Sequence, residues 1–244
     1  MNEQTREQPG EIVIRFRDCF SVRYIQSGAL FCRFGYALEE EYRKTGTLPE
    51  EKRLEHEAFT LNALFSTVAF LESTINELWS DAADNAYFFA DKRAEALLQE
   101  IGEKWKNENY FDRTPLPAKY QKILEIGKKP VFSEYDPDFS GVRDLISIRN
   151  YLMHYRREWV VIRAGNASGE QLESQAEKFD RLLANRFAEN PFAPKNLPFF
   201  PERCLGHGCA EWAVLTSLSF TDRFFSILGL SAPYDGVRDD LDTR

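Results

Sequence analysis

Three residues with chemical potential stand close together in residues 144–158, DLISIRNYLMHYRRE: Arg149, Asn150 and His154. An imidazole titrates near neutral pH and can move a proton to or from a hydroxyl group. A guanidinium can hold a phosphate through two parallel hydrogen bonds and neutralise charge that develops on it. In this combination, the residue types favour cleavage of a phosphodiester bond.

The spacing predicts that this stretch is a helix with two different faces. At about 100° per residue, one side collects the residues expected to face the core, Leu145, Ile148, Leu152 and Tyr155. The other side collects Ile146, Arg149, Asn150, Met153 and His154. Because a fully solvated face would not need two apolar residues, we interpret this second face as a partner-binding surface. Ser140 is the expected N-cap.

The charge balance reverses around this helix. The chain carries a formal charge of -8, so its summed field repels polyanions and nucleic acid would need a local basic patch. Residues 141–165 provide one, with arginines at positions 143, 149, 156, 157 and 163 against Asp144 and Glu158. Arg156 and Arg157 are expected at the solvated surface, where an auxiliary contact with RNA is reasonable.

Apolar periodicity predicts an all-α bundle with one long loop. Steps of three and four residues indicate helices over residues 20–44, 55–81, 83–107, 115–124, 170–187 and 209–228, in addition to the stretch already described. Residues 189–208 contain four prolines and are expected to form a loop that its aromatic residues attach to the bundle. Residues 12–16 and 159–162 are rich in β-branched residues and could pair as a minor ribbon.

Glu72 lies in the apolar stripe of the long second helix, among Val68, Leu71 and Ile75. We therefore expect it to be partly buried and to need a donor, with Arg149 or a tyrosine as its partner. Structural pairing is favoured over a direct catalytic role. Asn76 and Glu77 are expected at the surface or at an interface.

A second group of candidate ligands, Cys204, His207 and Cys209, invites a metal interpretation. It lacks an obvious fourth ligand and the usual paired spacing, so zinc is not favoured, and His207 is instead expected to be a loop residue. His56, between two glutamates, is expected to be exposed. The aromatic residues of the proline-rich loop, Phe192, Phe199 and Phe200, are interpreted as packing rather than as a platform for bases.

Composition indicates a folded, cytoplasmic protein. The chain has 244 residues, of which 43% are hydrophobic, enough for a sizeable core. Its start lacks the apolar core of a secretory signal, its longest uncharged stretch, residues 58–71, is too short to cross a bilayer, and its four cysteines are expected as free thiols. We predict one domain over residues 1–234 and a frayed acidic tail over residues 235–244.

Arg149-Asn150-x-x-x-His154 resembles the arginine, polar residue, histidine signature of the HEPN superfamily. Residues 65–79, FSTVAFLESTINELW, are similar to the long helix of many HEPN domains, and residues 209–220, CAEWAVLTSLSF, resemble the closing helix of bacterial HEPN proteins. The resemblance implies a helical bundle that dimerises through the motif-bearing helix. Two arginine and histidine sets would then share one composite cleft.

Active HEPN proteins are metal-independent ribonucleases of toxin, antiviral and RNA-processing systems. By resemblance, His154 would be the general acid or base, Arg149 would stabilise the charge of the transition state, and Asn150 would orient the histidine or the phosphate. Glu72, Tyr155, Arg156 and Arg157 would support them. The expected partners are RNA, such as tRNA or mRNA, a second copy of the chain and, in a toxin setting, a cognate antitoxin; no cofactor and no membrane are expected.

Two alternatives stay open. Some HEPN domains have no catalytic activity, so the chain could be a dimerisation module or a module that binds a nucleotide or a partner protein. An unrelated helical protein could also carry the short motif by chance. The pair Arg149 and His154 favours activity over both alternatives.

Overall fold

In the computed structural model, which describes residues 17–84, 92–107, 113–157 and 174–244, the regular secondary structure of these residues is entirely helical. The helices are α1 (Phe20–Thr45), α2 (Glu50–Ala83), α3 (Lys92–Asn107), α4 (Leu116–Ile126), α5 (Pro137–Met153), α6 (Gln175–Leu183) and α7 (His207–Leu228), with a short π-helical turn at Phe199–Arg203 and a 3-10 helix at Asp235–Asp240. The predicted all-α class is confirmed. The two runs considered for a β-ribbon, residues 12–16 and 159–162, lie outside the described residues.

Helices α1 and α2 form a long hairpin that organises the bundle. The turn after α1 uses Gly46 in the left-handed conformation (φ 69°), and the Gly46 backbone N–H donates to the Tyr42 carbonyl at 2.8 Å. At the open end of the hairpin, Glu77 of α2 accepts a 2.9 Å hydrogen bond from the backbone N–H of Ser21, so it caps the first turn of α1. Glu77, predicted at the surface or an interface, therefore joins the two helices.

Helix α7 is the second central element, and it closes the core over α2. Its predicted range and its end at Gly229 are confirmed within two residues. Val214, Phe220 and Phe224 are fully buried in one hydrophobic cluster with the apolar face of α2. Tyr120 of α4 lies beneath them, and its hydroxyl donates to the Leu71 carbonyl at 2.7 Å. The core face assigned to α2 from periodicity is therefore the face that packs.

The boundaries of α5 differ from those predicted. The helix begins at Pro137 rather than directly after Ser140, and its N-cap is Asp136, whose side chain accepts the backbone N–H groups of Asp138 at 3.1 Å and Phe139 at 3.2 Å. Ser140 is not the cap. Proline suits a first helical position because it has no N–H to satisfy and its φ is already helical. At the other end α5 stops at Met153, five residues before the predicted end.

Two other helices are shorter than expected. α3 begins at Lys92 rather than at residue 83, and residues 85–91 lie outside the described part of the chain. α6 ends at Leu183 rather than at residue 187, because Ala184 already has an extended ψ of 133° and Asn185 then adopts a positive φ of 66°.

His56 is fully buried, so the prediction that it is exposed was wrong. Its ring Nε2 lies 3.0 Å from the carboxylate of Glu39, which is also buried and also accepts the backbone N–H of His207 at 2.7 Å and Arg43 Nη2 at 3.0 Å. Position 56 shares a helix face with the buried Thr60, so helical periodicity outweighs the flanking glutamates. This network fastens α1, α2 and α7 together.

The acidic C-terminal tail does not fray. Leu241 is buried, and Arg33 of α1 donates to the carbonyls of Asp240 at 3.0 Å and Asp242 at 2.5 Å. The His207 ring donates to the Thr243 carbonyl at 3.1 Å. Backbone carbonyls rather than the acidic side chains make most of these contacts, which is why charge alone did not indicate them.

The proline-rich loop is attached to the bundle by its aromatic residues, as predicted. Phe199 and Phe200 are buried, and the Phe192 ring packs edge-on against His56 with centroids 4.6 Å apart. Asn190 holds the loop together because its amide donates to the carbonyls of Glu202 at 3.2 Å and Leu205 at 3.0 Å.

Helix α2 is long and apolar enough, by length and composition, to cross a membrane. Half of its most apolar window is buried inside the protein. The core helix of a soluble protein meets the same criterion, so one such helix carries little weight. The uncharged stretch of residues 58–71, on which the sequence argument depended, is only part of this helix.

Candidate functional site

The three predicted catalytic residues lie together at the C-terminal end of α5. Arg149 and Asn150 occupy the last turn, and His154 is the residue that ends the helix, with its backbone N–H donating to the Asn150 carbonyl at 3.0 Å. Asn150 and His154 are exposed, whereas the Arg149 side chain is only 25% exposed. No hydrogen bond joins the His154 ring to another described residue, so its nitrogen atoms are open to a ligand.

An aromatic cluster fixes the orientation of this helix end. The Tyr151 ring lies 5.4 Å from Phe179 of α6 and 5.5 Å from Phe200 of the proline-rich loop, and both of these phenylalanines are fully buried. On its other side, Tyr151 meets the Tyr155 ring edge-on at 5.6 Å. Sequence reasoning missed Tyr151; the signal was its place beside the core residue Ile148, in a chain whose loop supplies aromatic partners.

Glu72 of α2 forms an ion pair with Arg149, at 3.7 Å between Oε2 and Nη2. The predicted partner is therefore confirmed, but the predicted burial was wrong, because the Glu72 side chain is 49% exposed. Leu71 and Ile75 take the buried positions of α2, and Glu72 lies about 100° around the helix from Leu71, at the rim of the core. The pair holds the Arg149 guanidinium against α2.

Helix α5 differs from the prediction at Ile146 of its second face and at Tyr155 of its expected core face. Ile146 is buried within its own chain, with 9% of its surface exposed, so it cannot serve as an intersubunit residue. α5 packs against α2, α4 and α7, and this wide contact covers Ile146 as well as Leu145 and Ile148. Tyr155, expected in the core, lies beyond the helix end and is 56% exposed. Met153 is 57% exposed in the single chain, and Leu152 is half-buried.

The basic island of residues 141–165 has fewer unpaired arginines among its described residues than the sequence suggested. Arg143 pairs with Glu134 and Arg149 pairs with Glu72, while Arg163 lies outside the described residues. Arg156 and Arg157 are exposed, directly after His154. Among the described arginines of the island, the unneutralised positive charge therefore lies at the end of α5, beside the imidazole.

The chain matches no protein-family model, and comparisons with curated proteins and with solved structures return no match either.

The Cys204 and Cys209 thiols lie within hydrogen-bonding distance of each other. Among the described residues, no three histidine, cysteine, aspartate or glutamate side chains are arranged to hold a metal ion. The neighbouring Cys209 thiol and burial raise the pKa of Cys204 well above its ordinary value, so this thiol stays protonated. His207 begins α7 rather than lying in a loop, and its ring is bound to the C-terminal tail.

Proposed function

We propose that the chain is a metal-independent endoribonuclease of the HEPN type, acting in a toxin or defence setting. The observation that carries this proposal is the position of Arg149, Asn150 and His154 on one solvent-accessible helix end. A guanidinium and an imidazole held there by a packed aromatic cluster supply charge stabilisation and proton transfer at one place, as cleavage of a phosphodiester requires.

In the proposed reaction, RNA supplies its own nucleophile. His154 removes the proton from a ribose 2′-hydroxyl, the oxygen attacks the adjacent phosphorus, and the bond to the 5′-oxygen of the next nucleotide breaks as that oxygen takes up a proton. The products are a 2′,3′-cyclic phosphate and a 5′-hydroxyl. Arg149 stabilises the negative charge that develops on the phosphoryl oxygens, and Asn150 orients the phosphate or the imidazole.

Glu72 has a positioning role in this scheme. An ion pair of 3.7 Å between two partly exposed side chains is weak, so Arg149 can bind a phosphate without a large loss of stability. Arg156 and Arg157 add contacts with the phosphates on either side of the reacting one, and the exposed Tyr155 ring lies beside them.

A homodimer would complete the site by placing two copies of His154 in one cleft. One imidazole could then act as the base while the other protonates the leaving oxygen. Because Ile146 is buried within its own chain, the proposed interface is centred on Met153 and the residues after it rather than on the whole length of α5. A tRNA or mRNA is the proposed substrate, and a cognate antitoxin would cover the same exposed helix end.

One observation favours the alternative, a non-catalytic module that dimerises or binds a nucleotide or partner protein. The charge of Arg149 is already balanced by Glu72, and an arginine in this state could hold a phosphate without promoting a reaction.

Three oligonucleotides of one sequence test the proposal: RNA, 2′-O-methyl RNA and DNA, each incubated with the protein in excess EDTA. The endoribonuclease cleaves only the RNA, because the other two have no free 2′-hydroxyl. Binding of all three without cleavage would favour the non-catalytic module. Cleavage of DNA or of the methylated strand would contradict the proposed reaction.

A further inference from the structure

An open cleft lies between the first turns of α1 and the C-terminal half of α2. The described residues around it enclose about 700 Å³, a volume in the usual range of small-molecule sites, about 300–1,000 Å³. α1 contributes an aromatic wall of Phe20 and Tyr24, whose ring centroids lie 6.1 Å apart. α2 contributes a polar wall that contains Ser73, Asn76 and Ser80.

The acidic residues that line the cleft already have partners. Glu77 accepts the backbone N–H of Ser21, Asp81 pairs with Arg17, and Asp18 pairs with Arg23 at 2.8 Å. Arg17 is the cation among the described lining residues, and its guanidinium is taken up by Asp81 and Asp84. A free phosphate or a fatty acid would therefore find no unpaired cation there, whereas an uncharged ring system would meet no electrostatic penalty.

The two walls offer the contacts that a flat heterocycle needs. Phe20 is 48% exposed although the Arg23 guanidinium lies 5.2 Å from its ring centroid, so part of the ring is accessible for stacking. No hydrogen bond joins the Ser73 or Ser80 hydroxyl to another described residue. Asn76 Oδ1 accepts Lys119 Nζ at 2.9 Å, so the side-chain amide N–H groups of Asn76 are available to an acceptor. Nucleobases combine an aromatic face with donors and acceptors on one edge.

The cleft borders the site at the end of α5. Asn76 stands four residues after Glu72 on the same helix face, about 6 Å along the axis, and Glu72 pairs with Arg149. We infer that the cleft is a nucleobase-binding site, which, resting on the proposed endoribonuclease, holds a base of the RNA next to the phosphate bound by Arg149. The substrate at this point is an unpaired nucleotide, because a base within a duplex could not enter the cleft.

Binding can be measured without cleavage. Each of the four nucleoside 5′-monophosphates is titrated into the His154→Ala protein by calorimetry, and at least one binds saturably. Phe20→Ala in the same background weakens this binding at least ~5-fold, as expected for the loss of one stacked ring. Ser73→Trp fills the cleft and abolishes binding. Tyr135→Ala, which removes a side chain 95% exposed and outside the cleft, leaves binding unchanged. Circular dichroism checks that each variant is folded.

RNA cleavage by the otherwise wild-type protein then distinguishes two sources of the base. A higher KM for RNA in Phe20→Ala, with kcat unchanged, shows that the cleft holds a base of the substrate; an unchanged KM with weaker mononucleotide binding shows that it holds a free nucleotide. Both results support the site. The inference is overturned if no mononucleotide binds and Phe20→Ala has the wild-type KM. It is also overturned if mononucleotides bind the Phe20→Ala and Ser73→Trp proteins with unchanged affinity. Nucleotide binding without any RNA cleavage would instead contradict the proposed ribonuclease activity and still support the nucleobase-binding site.

Discussion

Arg149 of α5 lies 3.7 Å from Glu72 of α2, and this pair connects the predicted catalytic helix to the central hairpin. Arg149 belongs to the sequence motif, and Glu72 belongs to the hairpin that organises the fold. Glu72 keeps the guanidinium at the rim of the core while Asn150 and His154 project into solvent. Asn76, one helical turn after Glu72, lines the cleft. Glu72 therefore lies between Arg149, the proposed phosphate-binding residue, and the proposed base site.

Replacement of Glu72 by Gln should change the free energy of unfolding by less than about 1 kcal/mol, because the pair is long, at 3.7 Å, and the Glu72 side chain is 49% exposed. Urea denaturation measures this, with Glu125→Gln as the control for another exposed ion pair on α4. A loss of several kcal/mol would be the mark of a buried pair and would contradict the exposed geometry.

Met153→Arg should convert the proposed dimer into a monomer, because the new charge would be placed between two subunits. Multi-angle light scattering measures the mass. Leu54→Arg is the matched control, since Leu54 is also an exposed apolar residue, at 68%, but lies in the first turns of α2. A wild-type protein that is already monomeric, or a Met153→Arg protein that stays dimeric, would contradict a composite site at the end of α5.

Gly208→Ala should destabilise the protein strongly. A Cβ atom at this position would lie 2.2 Å from the Ala188 carbonyl oxygen and 2.9 Å from the Ala188 nitrogen, and backbone atoms cannot rotate away. The expected cost is about 1–3 kcal/mol or more, measured by denaturant titration. Gly236→Ala, whose added Cβ meets nothing within 4 Å, is the control. Equal stability of the two variants would mean that the loop and α7 are not packed in this way.

The contact between α7 and the tail should depend on pH. Hydrogen bonds from Arg244 and Thr243 lower the pKa of Glu211 below its ordinary value of 4.5. A lowered pKa in the folded state means that the stabilisation is complete above about pH 4.5 and is lost as the pH falls through the lowered value. The Tm difference between wild type and Glu211→Gln should therefore be largest near neutral pH and shrink under acid conditions. A difference that grows on acidification would contradict this sign.

The long helices were predictable because each carries a strong apolar period. α2 buries Val68, Leu71 and Ile75, the stripe that the sequence indicates, and Arg149 was one of the two kinds of partner expected for Glu72. The wrong predictions arose where two local sequence signals disagreed and the less informative one was followed. His56 was judged by its charged neighbours rather than by its place on the buried face, and the Asp136-Pro137 pair, a strong helix start, was passed over for Ser140.

Other features depend on contacts between distant parts of the chain, which periodicity does not contain. Ile146 is buried because three helices surround α5, and the acidic tail is ordered because Arg33 and His207 bind its carbonyls. The Tyr151 cluster requires a loop about 50 residues later to fold back onto α5. The cleft forms only where the first turns of α1 lie beside the end of α2. Which residues of the two helices lie side by side depends on the register of the hairpin.

The most direct test of the proposed activity incubates total cellular RNA, tRNA included, with wild-type protein, His154→Ala, Arg149→Ala and the double variant, all in excess EDTA. Wild type should cleave, His154→Ala should lose the proton transfer, and Arg149→Ala should lose the charge stabilisation. Because both residues act on one transition state, the double variant should be scarcely slower than the slower single variant. Cleavage by His154→Ala at the wild-type rate would contradict the assigned site, and the absence of cleavage by every protein, across several classes of RNA, would contradict the proposed ribonuclease.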